Sequence, residues 1–114
     1  MRIRVAETPE IPLPEQSLTM KRLANHDQHG ADISVTWVKI WGRHRKMRSD
    51  NTTRVYYFLD GTGEFKLGDG QPFAIQKDDL VVIPRGTPYE FTGHMTYLVM
   101  NGPAHVRGDD IVME

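Results

Sequence analysis

The sequence contains no cysteine, and this absence removes several kinds of chemistry at once. Without a thiol the chain forms no disulfide, holds no metal through thiolates and has no cysteine nucleophile. Apolar runs such as LVVI at 80–83 and YLVM at 97–100 are far shorter than a membrane span. The first ten residues, MRIRVAETPE, lack the apolar core of a signal peptide. These absences predict a cytoplasmic protein that has no membrane partner.

The chain also lacks a net charge of either sign that would attract a polyanion. Its 14 Lys and Arg residues and 15 Asp and Glu residues leave a net charge of −1 at pH 7. A nucleic-acid-binding surface is usually strongly basic, and the one basic run, GRHRKMR at 42–48, is not interleaved with aromatic residues. We therefore expect no nucleic-acid partner, interpret 42–53 as a long loop with possible strand edges, and assign the basic run to a solvated loop or the barrel rim.

Sustained helical periodicity is absent as well. Short β-branched and aromatic segments recur between turn signals, which is typical of an all-β sandwich or barrel. Three prolines in residues 7–16 predict that 1–16 is an extended N-terminal arm, followed by a single domain over 17–114. DGTG at 60–63 predicts a hairpin turn. The predicted strands are 17–23, 33–41, 54–61, 64–68, 72–77, 80–84, 89–93 and 95–101.

The spacing of several glycines and a proline resembles the two motifs of the cupin family, over about residues 41–93. Gly42 and Gly61 lie where the first motif has its outer glycines. Pro84 and Gly86 match the second motif, in which Asp78 takes the position of the first glycine. The resemblance implies a double-stranded β-helix, the jelly-roll barrel of cupins.

The metal ligands of both cupin motifs are replaced in this sequence. Arg48 and Asp50 occupy the two histidine positions of the first motif, and Arg54 occupies its glutamate position. Tyr89 occupies the histidine position of the second motif. Because two guanidiniums would repel a cation, the resemblance implies a cupin that has lost its metal and uses no cofactor.

The altered positions suggest a site for a small anionic molecule. Residues two apart on a strand share a face, so Arg54, Tyr56 and Phe58 should line one wall of the barrel. We expect Arg48 and Arg54 to bind a carboxylate or phosphate, with the aromatic rings beneath it. Tyr89 and Asp50 would exchange protons in an isomerase, cyclase or lyase, and a nearby arginine would lower the pKa of Tyr89.

Three alternatives remain open at this point. Asp50 could form an internal ion pair with the two arginines that only fills the vacated metal cavity. The pocket could belong to a non-catalytic sensor or binding module. The chain could also be a divergent metal-dependent cupin whose ligands are His44, Asp50 and His94.

Other features are assigned simpler roles. His26 and His29 are interpreted as residues of a surface turn, and His105 as an incidental tail residue. Trp37 and Trp41 are expected in the core. Unpaired edge strands predict a homodimer.

Overall fold

Eight antiparallel strands account for nearly all the regular structure, which confirms the predicted all-β class. The computed structural model describes residues 1–114. Two 3₁₀ turns, Val5–Glu7 and Pro14–Gln16, and one short helix, α1 (His26–His29), are the only helical segments. No helix is long and apolar enough to cross a membrane. The strands are β1 (Ile11–Leu13), β2 (Leu18–Ala24), β3 (Ser34–Arg48), β4 (Thr53–Leu67), β5 (Phe73–Ile75), β6 (Leu80–Ile83), β7 (Tyr89–Gly102) and β8 (Ile111–Val112).

Three long strands form the centre of the fold. β7 lies between β3 and β4 and pairs with both along most of its length. The first half of β4 also pairs with β6, and its second half pairs with β5. On the other side, β3 pairs with β2, and its last two residues pair with β8. β3 and β4 therefore each keep β7 on one side and change partners along the other side.

A row of three glycines lies across the long strands. Gly42 is opposite Gly93, which is opposite Gly63 on the other side. A methyl group at Gly63 would lie 2.5 Å from the Thr92 carbonyl oxygen, and one at Gly93 would lie 2.6 Å from the Thr62 carbonyl oxygen. A side chain at Gly63 or Gly93 would collide with the backbone of the neighbouring strand, so glycine is required where β4 and β7 pair at this row.

The predicted hairpin at 60–63 is wrong, because β4 continues through it. A bulge between Phe58 and Asp60, followed by Gly61 at φ +88°, turns the strand without reversing it. The predicted strands 89–93 and 95–101 are likewise one strand, β7. The loop predicted over 42–53 is also wrong in part, since β3 extends to Arg48.

The second cupin motif keeps its backbone conformation despite its altered first residue. Asp78, in the glycine position, has φ +71°, and Gly86 has φ +78°. Aspartate is among the few non-glycine residues that tolerate the left-handed region. The turn before β6, at Asp78, and the turn after it, at Gly86, therefore both contain a residue in the left-handed region.

The interior of the barrel is filled by aromatic side chains. The core cluster includes Tyr56, Phe58, Phe65, Phe91 and Tyr97, each at most 3% exposed. The prediction that Trp37 and Trp41 belong to this core is wrong. β3 directs Val38 and Ile40 inward, so Trp37 and Trp41 point outward; Trp37 is half-buried and Trp41 is 43% exposed.

Candidate functional site

Three side chains of β4 line the inside of the barrel, as the alternation of side chains along a strand predicted. Arg54, Tyr56 and Phe58 all face the interior and are 4%, 2% and 0% exposed. Arg54 lies nearest the end of the barrel where β3 and β7 meet the C-terminal residues. A fully charged side chain is thus buried next to an aromatic core, and its partners determine what the site can do.

Every nitrogen of the Arg54 guanidinium has an acceptor. Its Nε donates to Asn101 Oδ1 at 2.7 Å, and one terminal nitrogen donates to the Tyr89 hydroxyl at 2.7 Å. The other terminal nitrogen donates to the Asp110 carboxylate. Burial acts to lower the pKa of Arg54, but Tyr89, Tyr56 and Asp110 outweigh burial and raise the pKa above its ordinary value. Arg54 is therefore a permanent cation that is already neutralised.

Asp110 is the residue of this network that the sequence analysis missed. It belongs to the C-terminal segment, which the pairing of β8 with the end of β3 holds across the barrel mouth. Its second oxygen lies 3.2 Å from His105 Nε2. Burial would raise the pKa of Asp110, but the hydrogen bonds from His105 and Arg54 lower it to about 2. The interpretation of His105 as incidental is therefore wrong.

Tyr89 lies inside the mouth at the position of the cupin histidine. It is 2% exposed, and its hydroxyl lies 3.0 Å from that of Tyr56. The expectation that an arginine lowers the pKa of Tyr89 is wrong, because burial outweighs the contact with Arg54 and raises the pKa. Tyr89 is consequently protonated at neutral pH and available as a proton donor.

His44 completes the mouth from the facing strand β3. Its ring stacks on Phe91 with centroids 4.5 Å apart and on Tyr89 with centroids 5.6 Å apart. Its Nδ1 lies 2.8 Å from the Arg45 carbonyl oxygen. A carbonyl can only accept, so Nδ1 carries the hydrogen and Nε2 keeps its lone pair.

The environment of His44 keeps its imidazole neutral. Burial against the aromatic rings lowers the pKa of His44 to about 4; the Arg45 carbonyl opposes this, and the nearby charge of Arg54 adds to it. At neutral pH the His44 ring is therefore unprotonated on Nε2, and it lies next to the Tyr89 phenol, which keeps its proton. The sequence analysis considered His44 only as a ligand of the alternative metal site. Residues 42–48 are polar or basic on both faces of the strand, so their sequence does not show which side chains point into the barrel.

Arg48 and Asp50 lie at the rim rather than inside. Arg48 Nε donates to Asp50 Oδ1 at 2.9 Å, and the two side chains are 34% and 52% exposed. The predicted ion pair between them forms, but Asp50 does not pair with Arg54, whose carboxylate partner is Asp110. The hydrogen bonds of Asp50 do not include Tyr89, so the two predicted proton-exchanging groups are not joined.

The residues at the mouth do not fit a divalent metal ion. No group of three or more His, Cys, Asp or Glu side chains comes close enough to hold one. His94 cannot join His44 and Asp50, because it is exposed on the outward side of β7. The alternative metal site at His44, Asp50 and His94 is therefore wrong. Around Tyr89 lie the Arg54 guanidinium, the Tyr56 phenol and the single imidazole of His44, and one imidazole beside a permanent cation is not a ligand set for a divalent ion.

Comparison with known proteins identifies the fold but gives no related sequence. No family model and no curated protein sequence matches the chain. Streptomyces Pac13, described as a unique nucleoside dehydratase, has a TM-score of 0.82 at 18% identity, covering 100% of this chain and 91% of that one. A protein from Planctomyces limnophilus has a TM-score of 0.84 at 20% identity, covering 96% and 94%. KdgF from Halomonas sp. has a TM-score of 0.80 at 16% identity, covering 92% and 94%.

These neighbours define the class of the protein. Pac13 and KdgF have the cupin fold, and the likeness extends over nearly the whole chain. The protein is a small cupin-fold protein, as its motif spacing implied. Identities of 20% or less show the fold alone, and three variants of Pac13 solved with uridine describe that protein's ligand.

The neutral state of His44 should make the protein lose stability as the pH falls from about 6.5 towards 4. The unfolded chain gains a proton on this ring near its ordinary pKa of 6.5, whereas the folded chain does so only near 4. Lowering the pH across this window therefore decreases the free energy of unfolding by about 2–3 kcal/mol, after a discount for the partial exposure of His44. Asp110, whose pKa is about 2, contributes only at lower pH.

Urea unfolding of wild type and His44→Gln at pH 7 and pH 4.5 measures this effect. The variant should lose about 2 kcal/mol less than wild type between the two pH values. An equal loss in both proteins would contradict the assignment of a neutral His44.

Proposed function

We propose that the protein is a metal-free cupin-type enzyme that binds a small anionic metabolite, a carboxylate or phosphate, at the barrel mouth. It transfers protons within that ligand, as an isomerase, cyclase or lyase does. The observation that carries the proposal is the contact between His44, a neutral base with Nε2 free, and Tyr89, a phenol whose pKa is raised. A base and an acid whose environments separate their pKa values are the basic requirement of general acid–base catalysis.

The two groups divide the work of an elimination. His44 Nε2 removes a proton from carbon, while the Tyr89 hydroxyl donates a proton to the leaving oxygen or to the developing enolate. Arg54 stabilises the phenolate that Tyr89 becomes, because its terminal nitrogen already donates to that oxygen at 2.7 Å. Of the three reaction classes we favour the lyase, and the likeness of the fold to a nucleoside dehydratase supports this choice.

Two arginines, Arg48 and Arg54, are candidates to bind the anionic group of the ligand. Arg48 lies at the rim, partly exposed, with only the exposed carboxylate of Asp50 beside it. Arg54 is deeper and is reached only by a group that replaces Asp110. We therefore assign the anion to Arg48 first, with Tyr56 and Phe58 beneath the site as its apolar floor.

A thermal-shift screen tests the proposal. The panel comprises organic acids, sugar phosphates, nucleosides such as uridine and nucleoside monophosphates. A ligand at 100 times its Kd should stabilise the wild type by about 2.7 kcal/mol. Arg48→Ala should weaken that stabilisation, whereas Arg22→Ala, at an exposed position of β2, should leave it unchanged.

The same screen separates the enzyme from a non-catalytic sensor. Each stabilising ligand is incubated with the protein and followed by NMR for loss of starting material. Conversion that needs both His44 and Tyr89 supports the enzyme. A ligand that binds at the mouth and is never converted supports the sensor, and a panel without any ligand contradicts the proposal.

A further inference from the structure

Three phenols lie inside the barrel, and the protein provides a hydrogen-bond partner for only two of them. The hydroxyls of Tyr56 and Tyr89 lie 3.0 Å apart, and that of Tyr89 also accepts from Arg54. Tyr97, on β7, is buried to the same degree, yet its hydroxyl forms no hydrogen bond with any protein atom. Leaving a buried hydroxyl without a partner is unfavourable, so the presence of this one calls for a cause.

The Tyr97 hydroxyl borders a space that water can enter. No polar side-chain atom that is sealed from water lacks a partner in this protein, so the small exposed part of Tyr97 includes its oxygen. Burial and the neighbouring Tyr89 phenol raise the pKa of Tyr97 well above its ordinary value, and the hydroxyl therefore keeps its proton at neutral pH. Both its donor and its acceptor capacity are unused by the protein.

The packing of the core does not require a hydroxyl at position 97. The centre of the Tyr97 ring lies 5.1 Å from that of Tyr56, 5.6 Å from that of Phe91 and 5.7 Å from that of Phe58. Phe58 and Phe91 fill neighbouring interior positions with plain phenyl rings. A phenylalanine at position 97 would make the same ring contacts without burying a polar group. The hydroxyl therefore suits a partner that the protein itself does not contain.

Tyr97 is in contact with the residues that hold the proposed acid and base. Its ring packs on Phe91, and the His44 ring stacks on the same Phe91. Its ring also packs on Tyr56, whose hydroxyl meets that of Tyr89. A ligand that lies against His44 and Tyr89 is therefore separated from the Tyr97 side chain by no more than one residue.

The strand pairing shows how deep Tyr97 lies. On β4 the interior residues run from Arg54 at the mouth through Tyr56 to Phe58, and Tyr97 is paired with Phe58. Four residues of a strand span about 13 Å, so the backbone of Tyr97 is well below the rim. Tyr97 belongs to the apolar core cluster, where an ionic group would lose its hydration without gaining a partner. The ligand group that reaches Tyr97 is therefore neutral, unlike the anionic group at Arg48.

We propose that Tyr97 is a specificity-determining residue, whose hydroxyl binds a neutral oxygen, a hydroxyl or a carbonyl, on the innermost part of the ligand. This role rests on the proposed function and narrows its ligand class. The ligand carries an anionic group at the rim and at least one hydroxyl or carbonyl oxygen at its other end. Sugar phosphates, sugar acids and nucleotides have this form, whereas simple organic acids do not.

Matched pairs of ligands test this role. Uridine monophosphate, glucose phosphate and the sugar acids of glucose are compared by titration calorimetry with analogues that each lack one oxygen. The wild type should bind one such analogue about 10-fold more weakly than its parent compound. Tyr97→Phe should weaken binding of the parent by the same factor and leave the affinity for that analogue unchanged, as in a double-mutant cycle.

The matched control is Tyr57→Phe, the same substitution at an outward position of β4. It removes a phenol hydroxyl that donates to Asp78 at 3.0 Å and leaves the interior of the barrel unchanged. This variant should bind every compound as the wild type does. In steady-state kinetics Tyr97→Phe should raise KM about 10-fold and keep kcat within about threefold of wild type, whereas Tyr89→Phe lowers kcat.

Equal affinities of wild type and Tyr97→Phe for every compound overturn the proposal, as does a wild type that binds only simple organic acids. If Arg48→Ala still weakens binding in either case, the proposed function stands without this role, whereas a panel that contains no ligand overturns both. Urea unfolding of Tyr97→Phe should match wild type, because the hydroxyl has no protein partner to lose. A marked loss of stability would overturn the proposal, since the hydroxyl would then be bonded within the protein.

Discussion

Replacing Asp110 with asparagine is expected to lower the free energy of unfolding by about 2–3 kcal/mol, because it leaves the buried charge of Arg54 without a counter-ion. The Arg54 side chain is 5% exposed, so water cannot take the place of the carboxylate. The effect is at the low end for a broken buried ion pair because Asp110 is 37% exposed and because Asn101 and Tyr89 still accept from Arg54. Urea unfolding at pH 7 measures it.

The matched control is Asp50→Asn, the same substitution in an exposed pair. Asp50 is 52% exposed and its partner Arg48 is 34% exposed, so the loss should be below about 1 kcal/mol. If both variants lose the same stability, the Arg54–Asp110 pair is no more buried in solution than the rim pair. That result would contradict the description of the C-terminal segment as a cover of the barrel mouth.

Turnover of the ligand identified in the screen should fall about 10²–10⁴-fold in His44→Gln, with binding retained. Glutamine keeps the size and a polar end of the side chain but cannot accept a proton. Tyr89→Phe should produce a comparable loss, because it removes the proton that Tyr89 donates. The phenylalanine ring keeps the packing of Tyr89 against His44, Tyr56 and Phe91. Steady-state kinetics with separate values of kcat and KM measures both effects.

His94→Gln is the matched control for His44→Gln, since His94 is an exposed histidine on the outward side of β7. It should leave kcat and KM unchanged. Full turnover in His44→Gln would remove the imidazole from the reaction and leave the phenol network as a structural feature. Loss of binding in place of turnover would make His44 a binding residue.

The wall of the barrel could be predicted because it follows a local rule. Alternation along β4 places Arg54, Tyr56 and Phe58 together, whatever the rest of the fold does. Tyr89 was placed at the mouth of the same barrel by the resemblance to the second cupin motif, in which it takes the histidine position after Pro84 and Gly86. Each of these predictions depends on a short pattern, either alternation along one strand or the spacing within one motif.

The partner of Arg54 could not be predicted, because Asp110 is 56 residues away in sequence. The two meet only through the pairing of β8 with β3, and β8 has just two residues, Ile111 and Val112. One signal in the sequence could have led to Asp110. A buried arginine requires a counter-ion, and the candidate Asp50 lies in a polar segment that is expected to be exposed, so a second carboxylate was needed. The pKa of Tyr89 was misjudged because a nearby cation was counted and burial was not.

The most direct test of the site is an NMR titration of the histidine rings with ¹⁵N labelling, which reports both the pKa and the position of the ring proton. For His44 we predict a pKa of about 4 and a hydrogen on Nδ1, with Nε2 bare at neutral pH. A pKa near the ordinary value of 6.5, or a hydrogen on Nε2, would contradict the account, because His44 would then not be the free base that faces Tyr89.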